Sequence, residues 1–292
     1  MSAVVEKPVA LPVPRRPGWL RRLRRYPLPT LGGVLLLLLV LSTLFAPWIT
    51  SRDPIEMEVI DRLLPPGADH PFGTDAYGRD LFARVLYGGR VSLLIGVTVA
   101  LASTVLGLVI GVVAGYFRLA DAVIMRVMDG LMAIPGILLA IALMSLTRAS
   151  LWVVVIAITI PEIPRVVRLV RAVVLTVREQ TYIQAASAIG TRFPRLMRLH
   201  ILPSTFAPLI VQATYICASA VLTEAYLSFL GVGTPPEIPS WGNVIADGRL
   251  YVQLAFWNVL FPGIALALMV LSVNVLGDGL RDALDPRLAR RL

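Results

Sequence analysis

Long apolar runs separated by short polar segments dominate this chain. A helix needs about 20 apolar residues to cross ~30 Å of hydrocarbon. Residues 31–49, 91–117, 122–146, 206–230 and 255–276 each supply such a run. A sixth, from 151 to about 170, is interrupted by Pro161-Glu162-Ile163-Pro164-Arg165, which predicts a kinked or short helix. Prolines and charges at membrane depth are tolerated where neighbouring protein or a watery cavity satisfies the freed groups. The pattern therefore predicts an all-α integral membrane protein with six transmembrane helices. It divides into an Arg-rich tail (1–30), a first span (31–50), a polar cap segment rich in Asp and Pro (51–87), a packed core of five helices (88–278) and a closing tail (279–292). The first span is long and Ala46-Pro47-Trp48 is a poor cleavage site, so it reads as a retained anchor.

Composition sharpens this picture. In 292 residues, 57% hydrophobic and 15% charged, mean hydropathy is +0.78, which excludes an ordinary soluble domain. The formal net charge of +9 invites a nucleic-acid reading, but the arginines gather at the ends of apolar runs, where they report membrane orientation. The clusters at Arg15–Arg25, Arg165–Arg178, Arg192–Arg198 and Arg281–Arg291 all fall on one side if both termini are cytoplasmic. That orientation places residues 178–203 in the cytoplasm and the cap outside. Lys7 is the only lysine and lies in a Pro-rich stretch, so the chain lacks the lysine of a phosphate-binding P-loop. Cys217, the one cysteine, sits in an apolar run and reads as a small core residue.

One polar insert stands out. Residues 178–189 read as a short amphipathic helix, with Tyr182, Ala185, Ala186 and Ile189 on one face. Gly190 suits the left-handed stop of that helix, Thr191 the cap of the next, and Pro194 its first turn. Such a helix–turn–helix makes a stiff knob able to seat in a partner's groove; the plainer reading is a basic loop that only fixes topology.

The insert also resembles the "EAA" loop of bacterial ABC-importer permeases. Ala185, Ala186, Gly190, Leu202 and Pro203 fall in place, while Gln184 stands for the Glu and His200 for the usual Ile. Further segments are similar to the dipeptide/oligopeptide/nickel permease family: His70-Pro71-Phe72-Gly73-Thr74-Asp75 with Tyr77-Gly78-Arg79-Asp80, Glu224-Ala225-Tyr226-Leu227-Ser228-Phe229-Leu230-Gly231, and Pro239-Ser240-Trp241-Gly242. The closing Gly277-Asp278-Gly279-Leu280-Arg281-Asp282-Ala283-Leu284-Asp285-Pro286-Arg287 is similar to the C-type member of the permease pair. The resemblance implies a type I ABC importer permease fold in the bacterial inner membrane, with cytoplasmic coupling helices around Gln184–Pro203. It implies a B-type permease partner, two cytoplasmic ABC ATPase subunits or one fused ATPase, and an extracytoplasmic solute-binding protein. ATP and Mg would be used by the ATPase partners; this chain would bind no cofactor or metal, contact lipid and no nucleic acid, and catalyse nothing. Di- or oligopeptides are the implied cargo, with nickel or another small solute as the alternative. A reading from another class, an ion-coupled secondary transporter, calls for more ionisable residues within the spans and an internal repeat.

Individual residues remain to be weighed. Glu224, inside an apolar run, either lines a translocation path or forms a structural pair with an arginine. Glu162 and Arg165, three apart, are expected to neutralise each other. Ser103, Gly107, Gly111 and Gly115 repeat every four residues, which predicts a stripe of close helix packing. His70 with Asp69, Asp75 and Asp80 matches no compact metal motif and reads as a turn-rich cap leading into a short helix. Trp241 reads either as part of a stiff docking loop or as an anchor at the membrane interface.

Overall fold

A computed structural model describes residues 27–284. The arginines before residue 26, Lys7, and the Asp285-Pro286-Arg287 end of the closing motif lie outside the described residues. Among the described residues the long elements are all helices, with one isolated bridge between Thr74 and Asp80 in the largely irregular cap.

The first described helix, α1 (Pro27–Leu44), is apolar and largely uncovered, as a lipid-facing helix is. It leans on the last helix, α9 (Trp257–Leu284), at glycine: a Cβ on Gly32 would lie 2.9 Å from Val275 Cγ1. The spine of the fold is α2 (Leu81–Tyr116), 36 residues and about 54 Å long at 1.5 Å per residue. Asp80 caps it, its Oδ1 accepting from the Ala83 N–H at 2.7 Å. The cap was expected to lead into a short helix; instead the spanning helix itself begins at Leu81, because Asp80 supplies an N-cap eleven residues before the apolar run.

Two expectations about helix continuity change. The run at 122–146 is not one straight span but two helices, α3 (Arg118–Ala133) and α4 (Gly136–Ser145), bent by 87°. Pro135 disfavours helical backbone at Ile134, which is extended at φ −94°, ψ 128°. Conversely, the run at 151–170 is not short. It forms α5 (Leu151–Arg178), 28 residues continuous through Pro161 and Pro164, with Pro164 buried and Pro161 half-buried in the bundle. Among the described residues, four helices are long and apolar enough to cross a membrane: α1, α2, the helix through 194–229, and α9. The bent α3–α4 pair makes five if counted as one span.

Helix α2 makes its most extensive contact with α5, through the small-residue stripe. Gly107 abuts Val166, and Cβ atoms on Gly111 and Gly115 would come within 2.7 Å of the Val170 and Val174 Cβ atoms. Ser103 is fully buried, and its hydroxyl donates to the Val99 carbonyl at 2.7 Å. Further along α2, Gly96 meets Val221 of α7 (Leu202–Phe229). One apolar cluster joins α2, α4, α5 and α7, and a second joins α2, α7, α9 and a short helix, α8 (Trp241–Gly248). Helix α3 is tied to α5 by charge: Arg171 forks onto both oxygens of Asp121, and Arg168 Nη2 donates to Asp129 at 2.6 Å.

Candidate functional site

Two assemblies at opposite ends of α2 carry the residues singled out by sequence. At the C-terminal end, Arg178 Nη1 donates to the Tyr116 carbonyl at 3.0 Å, joining the last turns of α5 and α2. The chain then forms α6 (Thr181–Ala188). The helix ends in a Schellman turn: Thr191 N–H donates to Ala186 O at 3.1 Å and Gly190 N–H to Ser187 O at 3.0 Å. Gly190 sits at φ +82°, the left-handed conformation expected of it. The next helical turn, Phe193–Leu196, starts from the Arg192 carbonyl and not from Thr191. It passes through a wide turn, Met197–Ile201, into α7.

The inner side of this knob is apolar and buried: Ile183, Leu196, Met197 and Ile201 join the core of the bundle. Its outer side is apolar and uncovered. Tyr182 is 52% exposed and Ile189 85%, with Ala185 exposed between them and Ala186 half-buried. Gln184, which stands where the EAA pattern has Glu, is exposed and donates back to the Glu179 carbonyl at 3.2 Å. Leu202 is half-buried and Pro203 exposed at the start of α7.

At the other end, α8 is wedged against α2, α7 and α9. Trp241, expected on a docking loop or at the membrane interface, is instead fully buried. Its indole N–H donates to the Val85 carbonyl at 2.9 Å, and its backbone N–H to Ser92 Oγ at 3.1 Å. Ser240 caps α8 by accepting from Asn243 N–H. The Ser240 hydroxyl donates to Glu224 Oε1 at 2.7 Å, as does that of Ser228; Thr234 Oγ1 lies 3.4 Å away. Glu224 is fully enclosed within this chain, its Oε2 has no hydrogen-bond partner, and no arginine pairs with it among the described residues. The Asn243 amide donates to the carbonyls of Thr234, Pro235 and Ile238 at 3.0–3.2 Å, fixing the loop from 231 to 240.

The cap is bonded to the same end. Arg79 and Arg84 share two carboxylates. Asp75 Oδ2 accepts from Arg79 Nε at 2.6 Å and Arg84 Nη1 at 2.9 Å, and Asp247 Oδ2 from Arg79 Nη2 at 2.9 Å and Arg84 Nη2 at 3.1 Å. Burial pushes the Asp247 carboxyl above its ordinary range, against the pull of Arg79. His70 Nδ1 lies 2.8 Å from Asp80 Oδ2, and Phe72 stacks on Phe261 of α9 at 4.0 Å. Among the described residues no cluster of three His, Cys, Asp or Glu is arranged to hold a metal. Glu162 and Arg165 pair at 3.3 Å. Arg84, Asn243 and Asp247 were not singled out by sequence, although an arginine in the opening turns of an apolar helix calls for a carboxylate.

Comparison with known proteins places this geometry. The family described as "Binding-protein-dependent transport system inner membrane component" matches residues 103–290. That described as "N-terminal TM domain of oligopeptide transport permease C" matches residues 18–66. The probable peptide ABC transporter permease protein y4tQ of Sinorhizobium fredii is 55% identical over 92% of this chain and 92% of its own. The dipeptide transport system permease protein DppC of Alkalihalophilus pseudofirmus is 42% identical over 92% and 88%. A solved chain of the MetNI methionine ABC transporter, described as inward facing, superposes with a TM-score of 0.59 at 20% identity. It covers 70% of this chain and 98% of that one, a likeness of fold alone. The chain thus belongs to the family of binding-protein-dependent transport system inner membrane components, with an N-terminal segment of the oligopeptide permease C type.

Proposed function

We propose that this chain is the C-type permease subunit of an ABC importer for di- or oligopeptides. It spans the membrane six times, with α5 as the arginine-bearing fourth span and both termini cytoplasmic. It supplies half of the translocation path, and a B-type permease supplies the other half. Two cytoplasmic ATPases, or one fused ATPase, take up ATP and Mg, and a solute-binding protein delivers cargo from outside. Alternating access follows when closure of the ATPases draws the knobs of the two permeases together.

The carrying observation is the knob. A folded chain rarely leaves Tyr182 and Ile189 in water beside a Schellman-stopped helix unless a partner covers them. The short, capped helix moves as a unit when pushed, and its buried side (Ile183, Leu196, Met197, Ile201) passes that movement to α5 and α7. The names of the relatives favour peptides as cargo. The buried stripe Ser103, Gly107, Gly111 and Gly115 serves packing, since lipid supplies no hydrophobic drive between helices. Glu224 serves as a brace for the outer loop.

The test is uptake of labelled dipeptide into liposomes holding the reconstituted complex, with nickel in parallel. Uptake is expected to need both ATP and the binding protein. Ala186→Arg and Gly190→Pro should each lower it more than about tenfold while the chain still inserts into the membrane. Uptake without ATP, or undiminished uptake in both variants, contradicts the reading.

A further inference from the structure

A cavity of about 440 Å³ opens at the cap end, between α8, the end of α4 and the loop from 231 to 240. Its volume lies in the range of small-molecule sites. One wall is held by hydrogen bonds within the chain. Ser228 and Thr234, on one wall, are bonded to Glu224, and the Asn243 amide holds three carbonyls of the loop. A preformed wall lowers the ordering cost of binding.

The cavity presents charge of both signs. Arg249 lines it, with its guanidinium 4.8 Å over the Phe229 ring and one N–H given to the Phe229 carbonyl. No carboxylate neutralises Arg249 among the described residues, and the rest of its donor fork is unused. Asp247 also lines the cavity. Its Oδ2 is occupied by Arg79 and Arg84, but its Oδ1 has no hydrogen-bond partner among the described residues. Tyr77 and Tyr251 add aromatic surface to the lining. Asp75 and Asp247 are matched by Arg79 and Arg84, so Arg249 is the lining cation left for a ligand carboxylate. An arginine fork matches a carboxylate bidentately.

We infer that this cavity is a receiving site for a short zwitterionic peptide. Arg249 takes the C-terminal carboxylate, Asp247 Oδ1 the terminal ammonium, and the two tyrosines the backbone and side chains between. The inference rests on the peptide-permease reading and adds to it a site on the permease itself, separate from whatever the binding protein recognises. Arg249 sets specificity here.

The test uses the full permease–ATPase complex in nanodiscs without binding protein, and saturation-transfer NMR with Ala-Ala, acetyl-Ala-Ala and Ala-Ala amide. Ala-Ala should give the strongest signal. Arg249→Gln should weaken Ala-Ala roughly tenfold, to the level of the amide, and leave the amide unchanged; Arg249→Lys should fall between. Co-purification of each variant with its partners shows that it folds, and Arg249→Lys carries the test if Arg249→Gln does not assemble. An Ala-Ala signal untouched by both substitutions overturns the site, as does an equal loss for Ala-Ala and the amide. A wild-type complex that imports dipeptide with ATP and binding protein but shows no signal overturns this inference alone. Failure of that import overturns the peptide reading itself.

Discussion

Helices α6 and α8 are both eight residues long and lie at opposite ends of the spine helix, yet their surroundings are reversed. Helix α8 has a side-chain cap from Ser240, buries Trp241, Gly242, Asn243, Val244 and Gly248, and is bonded to α2 and α7 through side chains. Helix α6 has no side-chain cap, buries only Ile183, and presents Tyr182 and Ile189 to solvent. A polar group taken from water must find its partner inside the chain, and most at the cap end do so, although Glu224 Oε2, Arg84 Nε and the Asn258 amide have no partner among the described residues. An apolar face left in water awaits a partner from outside. Helix α8 is thus held by the rest of this chain, whereas the outer face of α6 is left uncovered by it.

Substitutions at the cap end should act on stability, and the largest effect is expected at Trp241. Trp241→Ala removes a fully buried ring and its hydrogen bond to the Val85 carbonyl, and should cost about 3–5 kcal/mol in reversible unfolding of the purified complex in detergent. A cost under 1 kcal/mol would mean that α8 is not part of the core. Next comes the brace. Glu224→Ala leaves the Ser228 and Ser240 hydroxyls without their acceptor, and should cost about 2 kcal/mol in the same measurement. Glu224→Gln keeps an acceptor oxygen and should cost less than half of that. Uptake kinetics of the Gln variant separate brace from path: normal kinetics rule out a carboxylate acting on substrate.

The knob should answer differently. Gly190→Ala places a Cβ at φ +82° and should cost about 1 kcal/mol, although no atom lies within 4 Å of that position. Ile189→Asp should change the stability of the chain by less than about 0.5 kcal/mol, being exposed, while dipeptide uptake falls more than tenfold. If Ile189→Asp instead unfolds the chain, the knob is core and the contrast with α8 collapses.

What sequence could show followed from local period. The four-residue spacing of Ser103, Gly107, Gly111 and Gly115 is a property of one helix, and so was readable before Val166, Val170 and Val174 were known to oppose it. Gly190 likewise announced its own turn. Hydropathy misled where it averages over direction: 122–146 is apolar on both sides of Ile134-Pro135, and only the proline marks the 87° bend. The Pro161-to-Arg165 interruption hid the length of α5, and Asp121 and Asp129, which pair with Arg171 and Arg168 further along it, lie on another helix. Contacts across the fold were beyond reach for the same reason. Asp247 meets Arg79 and Arg84 more than 160 residues away, and Trp241 meets Val85 over a similar span.

The central claim, that the uncovered face of α6 is the seat of the energy-supplying partner, is tested most directly by protection from labelling. Ile189→Cys in a Cys217→Ala background would be treated with a membrane-impermeant maleimide in inside-out vesicles, with and without the ATPase subunits. Labelling should be fast for the permease pair alone and suppressed more than tenfold once the ATPases assemble. Equal labelling in both states, in a complex that still imports peptide, would contradict the account.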